Sequence, residues 1–231
     1  MVSSRASWLK PCRRKAPNEN DCLRHSFQTM FPALAVGIPE IGMPRFEPLF
    51  IDKIAIQKGQ GAVTISGSFQ NILAHGPSNS TTSFVNLDLE NKRLDFGIDI
   101  PELRIEADYD MKGNILLLPL VGNGEAKLKF TNTTTSGNTK IEIRKGPDGR
   151  EIMHVVSMDM EFLIRGMQVH LSNLFNGNKV LGLTVNSFLN RNSQQVVDDL
   201  KEPISASLSV VFLRLINQLF HHVPMDLWLT E

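Results

Sequence analysis

An α+β fold, in which a long C-terminal α-helix is wrapped by a highly curved antiparallel β-sheet, follows from three patterns in the sequence. From Ser193 to Val223, Val197, Leu200, Ile204, Leu208, Val211, Leu215 and Leu219 recur every three or four residues, the spacing of one helical face. Such a helix is roughly 46 Å long at 1.5 Å per residue, the length of a whole domain. After Pro203 the stripe widens: Val210, Phe212, Leu213 and Ile216 leave only Arg214, Asn217 and Gln218 clearly polar, and a helix apolar nearly all round is covered on several sides. From Leu49 to about Leu171 the period changes to 2, with charged residues opposite the apolar ones, which describes antiparallel strands with one wet face. Several of these runs reach 15 residues or more, and long strands with one oily face curl around something. The terminal helix is the element of matching length.

Before the strands, Asn18 to Val36 reads as a short helix capped by Asn20 or Asp21. Leu23, Phe27, Met30 and Phe31 form its buried face, and Pro32 bends or ends it. Gly37 to Pro48, with three prolines and two glycines, reads as an extended connection. About seven strands follow. Ile54 and Ile56 precede a turn at Gly59-Gln60-Gly61, and Val63, Ile65 and Phe69 form the next inward set. Val85, Leu87 and Leu89 lead to a turn at Glu90-Asn91-Lys92. Leu94, Phe96, Ile98 and Ile100 alternate up to Pro101, which shifts the frame to Leu103, Ile105, Ala107 and Tyr109. Turns are expected at Asp110–Gly113 and Gly122–Gly124, on either side of an apolar run from Ile115 to Val121. Ala126, Leu128 and Phe130 precede Ile141 and Ile143, and Gly146-Pro147-Asp148-Gly149 marks a hairpin. His154, Val156, Met158, Met160, Phe162 and Ile164 make the last inward face. A second helix, Lys179 to Asn190, follows the turn Asn176-Gly177-Asn178. With no repeat or low-complexity tract, residues 1–231 read as one domain, with 1–11 disordered.

Lys plus Arg and Asp plus Glu number 24 each, so the formal charge of zero argues against a nucleic-acid surface. No run of 18 apolar residues occurs, which predicts no stable membrane insertion. Thirteen Phe and nine Met beside one Tyr describe an oily, deformable interior. Cys12 and Cys22 read better as a short-loop disulfide than as zinc ligands, since no His pair with metal spacing lies nearby. With the sequons at Asn79 and Asn132, each in a polar, turn-like stretch, this points to a secreted, extracellular glycoprotein. Met1 to Pro11 has no apolar h-region. A chain starting near its mature end, or missing its first segment, is preferred to a cytosolic protein.

Motifs of chemistry are absent. No G-x-S-x-G, P-loop or H-E-x-x-H occurs, and the two G-x-G pairs lack the third glycine of a dinucleotide site. His221 and His222 read as cations at a helix C-terminus, and Asp198, Asp199 and Glu202 as a solvated patch near its start. No catalytic residue, metal or cofactor is therefore assigned. Apolar stripes by themselves describe a close-packed core; strong curvature around one helix, with Met lining, describes a ligand cavity instead.

The order of short pieces along the chain resembles the takeout and juvenile-hormone-binding family of insect secreted proteins, from Cys12 onward. The pieces are Cys12 with Cys22-Leu23; Gly37-Ile38-Pro39-Glu40 with Glu47-Pro48-Leu49; Ser66-Gly67; Ile100-Pro101; Tyr109 with Gly113; Leu118-Pro119-Leu120 with Gly122 and Gly124; Asn173-Leu174-Phe175-Asn176-Gly177; Asn186 with Phe188-Leu189-Asn190; and Val223-Pro224. The resemblance implies a tubular lipid-binding fold, bonded cysteines, and a hydrophobic tunnel for one elongated ligand such as a terpenoid, fatty acid or quinone-like lipid. It departs from the pattern at Glu47, where members often carry Asp. It also lacks the second disulfide of tight hormone binders, which favours a takeout-like protein.

The expected function is a monomeric, non-enzymatic carrier of a small hydrophobic ligand. The expected wall is Phe27 and Phe31 from the first helix, Phe69, Leu87, Phe96, Met158, Met160 and Phe162 from the sheet, and Leu208, Val211, Phe212 and Leu215 from the long helix. The alternatives are a lipid-transfer module that docks on membranes through Gly37–Phe50, an esterase acting on a bound hydrophobic ester, and a cavity-free interaction protein.

Overall fold

The structure is a computed structural model and describes residues 8–116 and 118–231. A two-residue strand β1 (Cys12–Arg13) precedes helix α1 (Glu19–Val36). Then come β2 (Leu49–Lys58), β3 (Val63–His75), β4 (Thr81–Asp88), β5 (Arg93–Ile115), β6 (Leu118–Lys145) and β7 (Glu151–Leu171). Helices α2 (Lys179–Arg191) and α3 (Ser193–His222) follow, and β8 (Leu229–Thr230) pairs in parallel with β1. The long strands form one antiparallel sheet in the order β2-β3-β5-β6-β7, with β4 pairing the first half of β5. At 23, 28 and 21 residues, β5, β6 and β7 accumulate enough twist to coil the sheet. The fold class read from the sequence is the one observed.

Helix α3 packs against β7 and β2, the two ends of that strand order, and so closes the curl. Its polar positions explain how. The amide of Asn217 accepts from Val155 N and donates to Val155 O, both at 2.8 Å. Ser209 Oγ accepts from Met160 N at 2.9 Å. On α2, Asn190 makes the same pair of bonds to Val169, and Asn186 to Leu171. These side chains take the place of a neighbouring strand along β7, whose outer N–H and C=O groups would otherwise be unpaired. On the other side, Ser207 Oγ donates to Ala55 O at 3.0 Å, and Lys58 Nζ donates to Asp199 O. The edge of β4 is served likewise from α1: Gln28 bonds Ser80 O and Thr82 N, and Asn20 accepts from Leu87 N.

One solvent-facing stripe remains on α3, at Asp198, Glu202, Ala206, Val210 and Arg214. By length and composition α3 is long and apolar enough to cross a membrane, with a mean hydropathy of 1.4 over 18 residues, although no unbroken apolar run occurs. Asp199 is only half exposed, and its Oδ2 is buried without a protein partner, so the acidic patch is less solvated than expected.

The sheet changes face along one row. Pairing lapses between Ile100 and Glu102, between Thr131 and Thr133, and between Ile164 and Gly166. Asn132, in the middle of that row, has φ of 49°. Inward residues are even-numbered on β5 before Pro101 and odd-numbered after it, which is the expected frame shift. Asn132 is exposed there, within a strand and not in a turn, whereas Asn79 ends an exposed 3-10 turn, Pro77–Asn79.

Several local expectations are corrected. Asp110–Gly113 and Gly122–Gly124 are not turns but continue β5 and β6, paired to each other; the turn lies at Leu116, where Ile115 pairs with Leu118. Leu117 lies outside the described residues. The N-cap of α1 is Asn18, and α1 runs on through Pro32. The Gly37–Pro48 segment is not an extended connection: Pro39–Ile41 form a 3-10 turn, Ile38 bridges to Met43, and Ile38, Ile41 and Met43 are buried. Of the stretch expected to be disordered, residues 1–7 lie outside the described residues, while Trp8 is buried in the core.

Candidate functional site

The face of α3 opposite its solvent stripe carries Ile204, Leu208, Val211, Phe212 and Leu215, and these are only half-buried. That face looks into the curl of the sheet, where four buried apolar clusters lie among the described residues. Phe27, Leu87, Phe96, Met158, Met160, Phe212 and Leu215 meet in the first, near the C-terminal end of α3. Phe69, Val211, Phe212 and Leu215 meet against β2 and β3, so Phe212 and Leu215 bridge two clusters. Phe162 and Leu208 meet against Ile164 and Val197. Phe69 also touches the cluster under α2. Phe31 is buried, but in none of these four groups.

Local sequence sets several of these positions. Phe96 stands opposite Gly137, and its ring occupies the space of the missing side chain: a Cβ there would lie 2.5 Å from Phe96 Cζ. Ile98, Leu103 and Ile105 on β5, read from the sequence as inward but not named for the wall, pack into the same clusters. Their alternation with Phe96 across Pro101 was the available signal. Phe130, opposite Leu103, follows from the same register. Phe46 also joins two clusters, and no periodicity marks it.

A small apolar space of about 20 Å³ lies between Leu9, Leu23, Phe27, Met30, Leu219, Phe220 and Val223, with Ser26 and Trp228. A hollow of about 310 Å³ at the β4–β5 turn, lined by Leu89, Lys92, Ile141, Glu142 and Ile143, contains none of the expected wall residues.

Polar chemistry is sparse at the wall and concentrated at the rims. Tyr109 is buried, which pushes its phenol up to about 12, and its hydroxyl donates to Ser172 O at 2.5 Å. Near the end of α3, His154 Nδ1 and His221 Nε2 share a hydrogen bond of 2.7 Å. Burial, then Arg144 for His154 and the neighbouring His154 for His221, hold both imidazoles below their ordinary value. His221 is therefore a neutral partner of β7 and not the helix-end cation expected. Among the described residues no group of three or more His, Cys, Asp or Glu is placed to hold a metal. Cys12 and Cys22 are bonded, with Cα atoms 5.7 Å apart.

The exposed apolar surface lies only partly where it was expected: Ile38, Ile41, Met43 and Leu49 are buried and Phe50 is 55% exposed, while Val180 and Leu183 on α2 are 73% and 71% exposed, with Leu181 beside them.

The model of the haemolymph juvenile hormone binding protein family matches residues 2–230. Two relatives named circadian clock-controlled protein daywake, from Drosophila yakuba and Drosophila melanogaster, are each 26% identical over 232 residues, spanning 97% of this chain and 89% of theirs. The crystal structure of Epiphyas postvittana Takeout 1 superposes with a TM-score of 0.85 at 24% identity, covering 96% of this chain and 100% of that one. At that identity the likeness is one of fold.

Proposed function

The chain belongs to the haemolymph juvenile hormone binding protein family, and on that premise we propose that it is a secreted, non-enzymatic carrier. It holds one elongated hydrophobic molecule, a terpenoid, fatty acid or quinone-like lipid, along the lumen between α3 and the sheet. The observation that carries this reading is the inward stripe Ile204–Leu208–Val211–Leu215, apolar yet only half-buried inside the curl. The small space at Phe27 has room for about one water, so a ligand enters by parting side chains. Met158 and Met160, unbranched and polarisable, suit that adjustment. Phe27, Phe69, Leu87, Phe96, Phe162, Leu208, Val211, Phe212 and Leu215 complete the wall, with Phe31 behind it. Binding is driven by apolar burial, about 0.8 kcal/mol per methylene. Each added methylene in a fatty-acyl series then tightens binding roughly fourfold until the lumen is full. A series with no dependence on chain length, together with purified protein whose organic extract contains no lipid by mass spectrometry, removes the carrier reading.

A second reading, transfer of lipid between membranes, is favoured by the exposed Val180, Leu181 and Leu183. Transfer of a labelled lipid between liposomes that is abolished by Leu183→Glu, with solution binding retained, selects it over the free carrier.

A further inference from the structure

The helix-facing side of β6 carries Thr133, Thr135, Gly137 and Thr139 in succession, an unusual row in an otherwise oily lumen. Two of these threonines are satisfied by the strand next to them. Thr139 Oγ1 donates to Leu94 O at 2.6 Å and Thr135 Oγ1 to Ile98 O at 3.4 Å, each to the carbonyl of its own cross-strand partner. Thr133 breaks the pattern. It is 4% exposed and stands opposite Ile100, yet its Oγ1 has no protein partner. Thr133 adjoins the row where pairing between β5, β6 and β7 lapses.

On its other side Thr133 pairs with Ile164, which packs with Val197, Ile204 and Leu208 of α3. The adjoining helix residue Ser205 likewise holds a buried hydroxyl without a partner. Valine would fill the position of Thr133 with the same shape and the same strand preference, and without an unpaired hydroxyl.

We infer that Thr133 is a specificity-determining residue, whose hydroxyl donates a hydrogen bond to an uncharged oxygen function, such as an ester or ketone, on an otherwise apolar ligand. This rests on the carrier reading above. The oxygen is uncharged because Ile164, the strand partner of Thr133, packs among Phe162, Val197, Ile204 and Leu208, and a bare carboxylate there would keep its full desolvation cost.

The test uses the full chain and two probes of matched length, methyl laurate and tetradecane, each displacing a fluorescent apolar reporter. The wild type binds the ester on the order of three- to tenfold more tightly than the alkane, the range one net hydrogen bond supplies. Thr133→Val binds both equally, and melts no lower than the wild type because it loses an unpaired group. Thr133→Ser restores the preference, and Thr135→Val, whose hydroxyl is already spent on Ile98 O, leaves it unchanged. An ester preference that survives in Thr133→Val overturns the anchor while leaving the carrier intact. Tighter binding of laurate than of its methyl ester overturns the choice of an uncharged group. If the wild type binds neither probe, carrier and anchor fall together.

Discussion

Replacing Asn217 by leucine keeps the branched shape of the side chain and removes both of its bonds to the edge of β7. Val155, its partner, is 1% exposed, so its N–H and C=O have no water to turn to. Each bond contributes about 1 kcal/mol net, and stranding the two backbone groups adds desolvation, for a total of about 3 kcal/mol. For a domain of this size, where 1 kcal/mol moves the midpoint by about 2–4 °C, the melting temperature falls by about 6–12 °C. Ser209→Ala removes a single bond, to Met160 N, and falls by about a third as much. Asn217→Asp keeps the acceptor but sets a carboxylate against Val155 O, and is no better than leucine. Circular dichroism melts measure the midpoint, and amide exchange at Val155 reports the edge directly. A leucine variant that melts within 2 °C of the wild type, with the Val155 amide equally protected, refutes the idea that these amides stand in for a strand.

The histidine pair gives stability a pH dependence. Both folded-state values lie below the ordinary 6.5, so the unfolded chain takes up protons first as pH falls. Stability is complete above about pH 6.5 and declines below it, with Arg144 and His222 opposing protonation and Glu142 favouring it. Melting midpoints between pH 5 and 8 check this: the slope disappears in a His154→Asn, His221→Asn double variant. Opening the Cys12–Cys22 bridge, by Cys22→Ser with Cys12→Ser, lowers stability by about 3 kcal/mol through the freed ten-residue loop. An unchanged urea midpoint in that variant contradicts it.

The elements most legible in the sequence were those in which burial imposes a period. α3 was readable because one stripe faces water and the rest of its surface is turned to the sheet. The frame shift at Pro101 was readable because the apolar set moves from Phe96 and Ile98 to Leu103 and Ile105. Gly59-Gln60-Gly61 does turn the chain between β2 and β3, but Gly122–Gly124 was misread as a turn because glycine marks close approach as well as reversal. Gly122 lies in a strand where a Cβ would meet the Tyr109 hydroxyl at 2.6 Å, a contact made by residues far apart in the chain. The roles of Asn186, Asn190 and Asn217 were invisible for the same reason, since a polar residue on an amphipathic helix ordinarily faces solvent. Phe46 was missed because a segment held by a 3-10 turn and bridges has no period. Thr133 read as part of a sequon, and only the unpaired hydroxyl beside Ile164 distinguishes it from its neighbours.

The parallel pairing of β1 with β8 has a consequence for the order of events in folding. Thr230 Oγ1 donates to Cys12 O across 218 residues of chain, and Cys12 N donates to Trp228 O at 2.9 Å. The bridge to Cys22 needs only α1 and can close while most of the chain is still being synthesised, but the two short strands meet only after the last residues emerge. Until then Trp8 and Leu9 lack Trp228 and Leu229, the neighbours that cover them. Removal of residues 229–231 therefore strips the disulfide-held strand of its bonds to Thr230 and leaves it only the one from Cys12 N to Trp228 O.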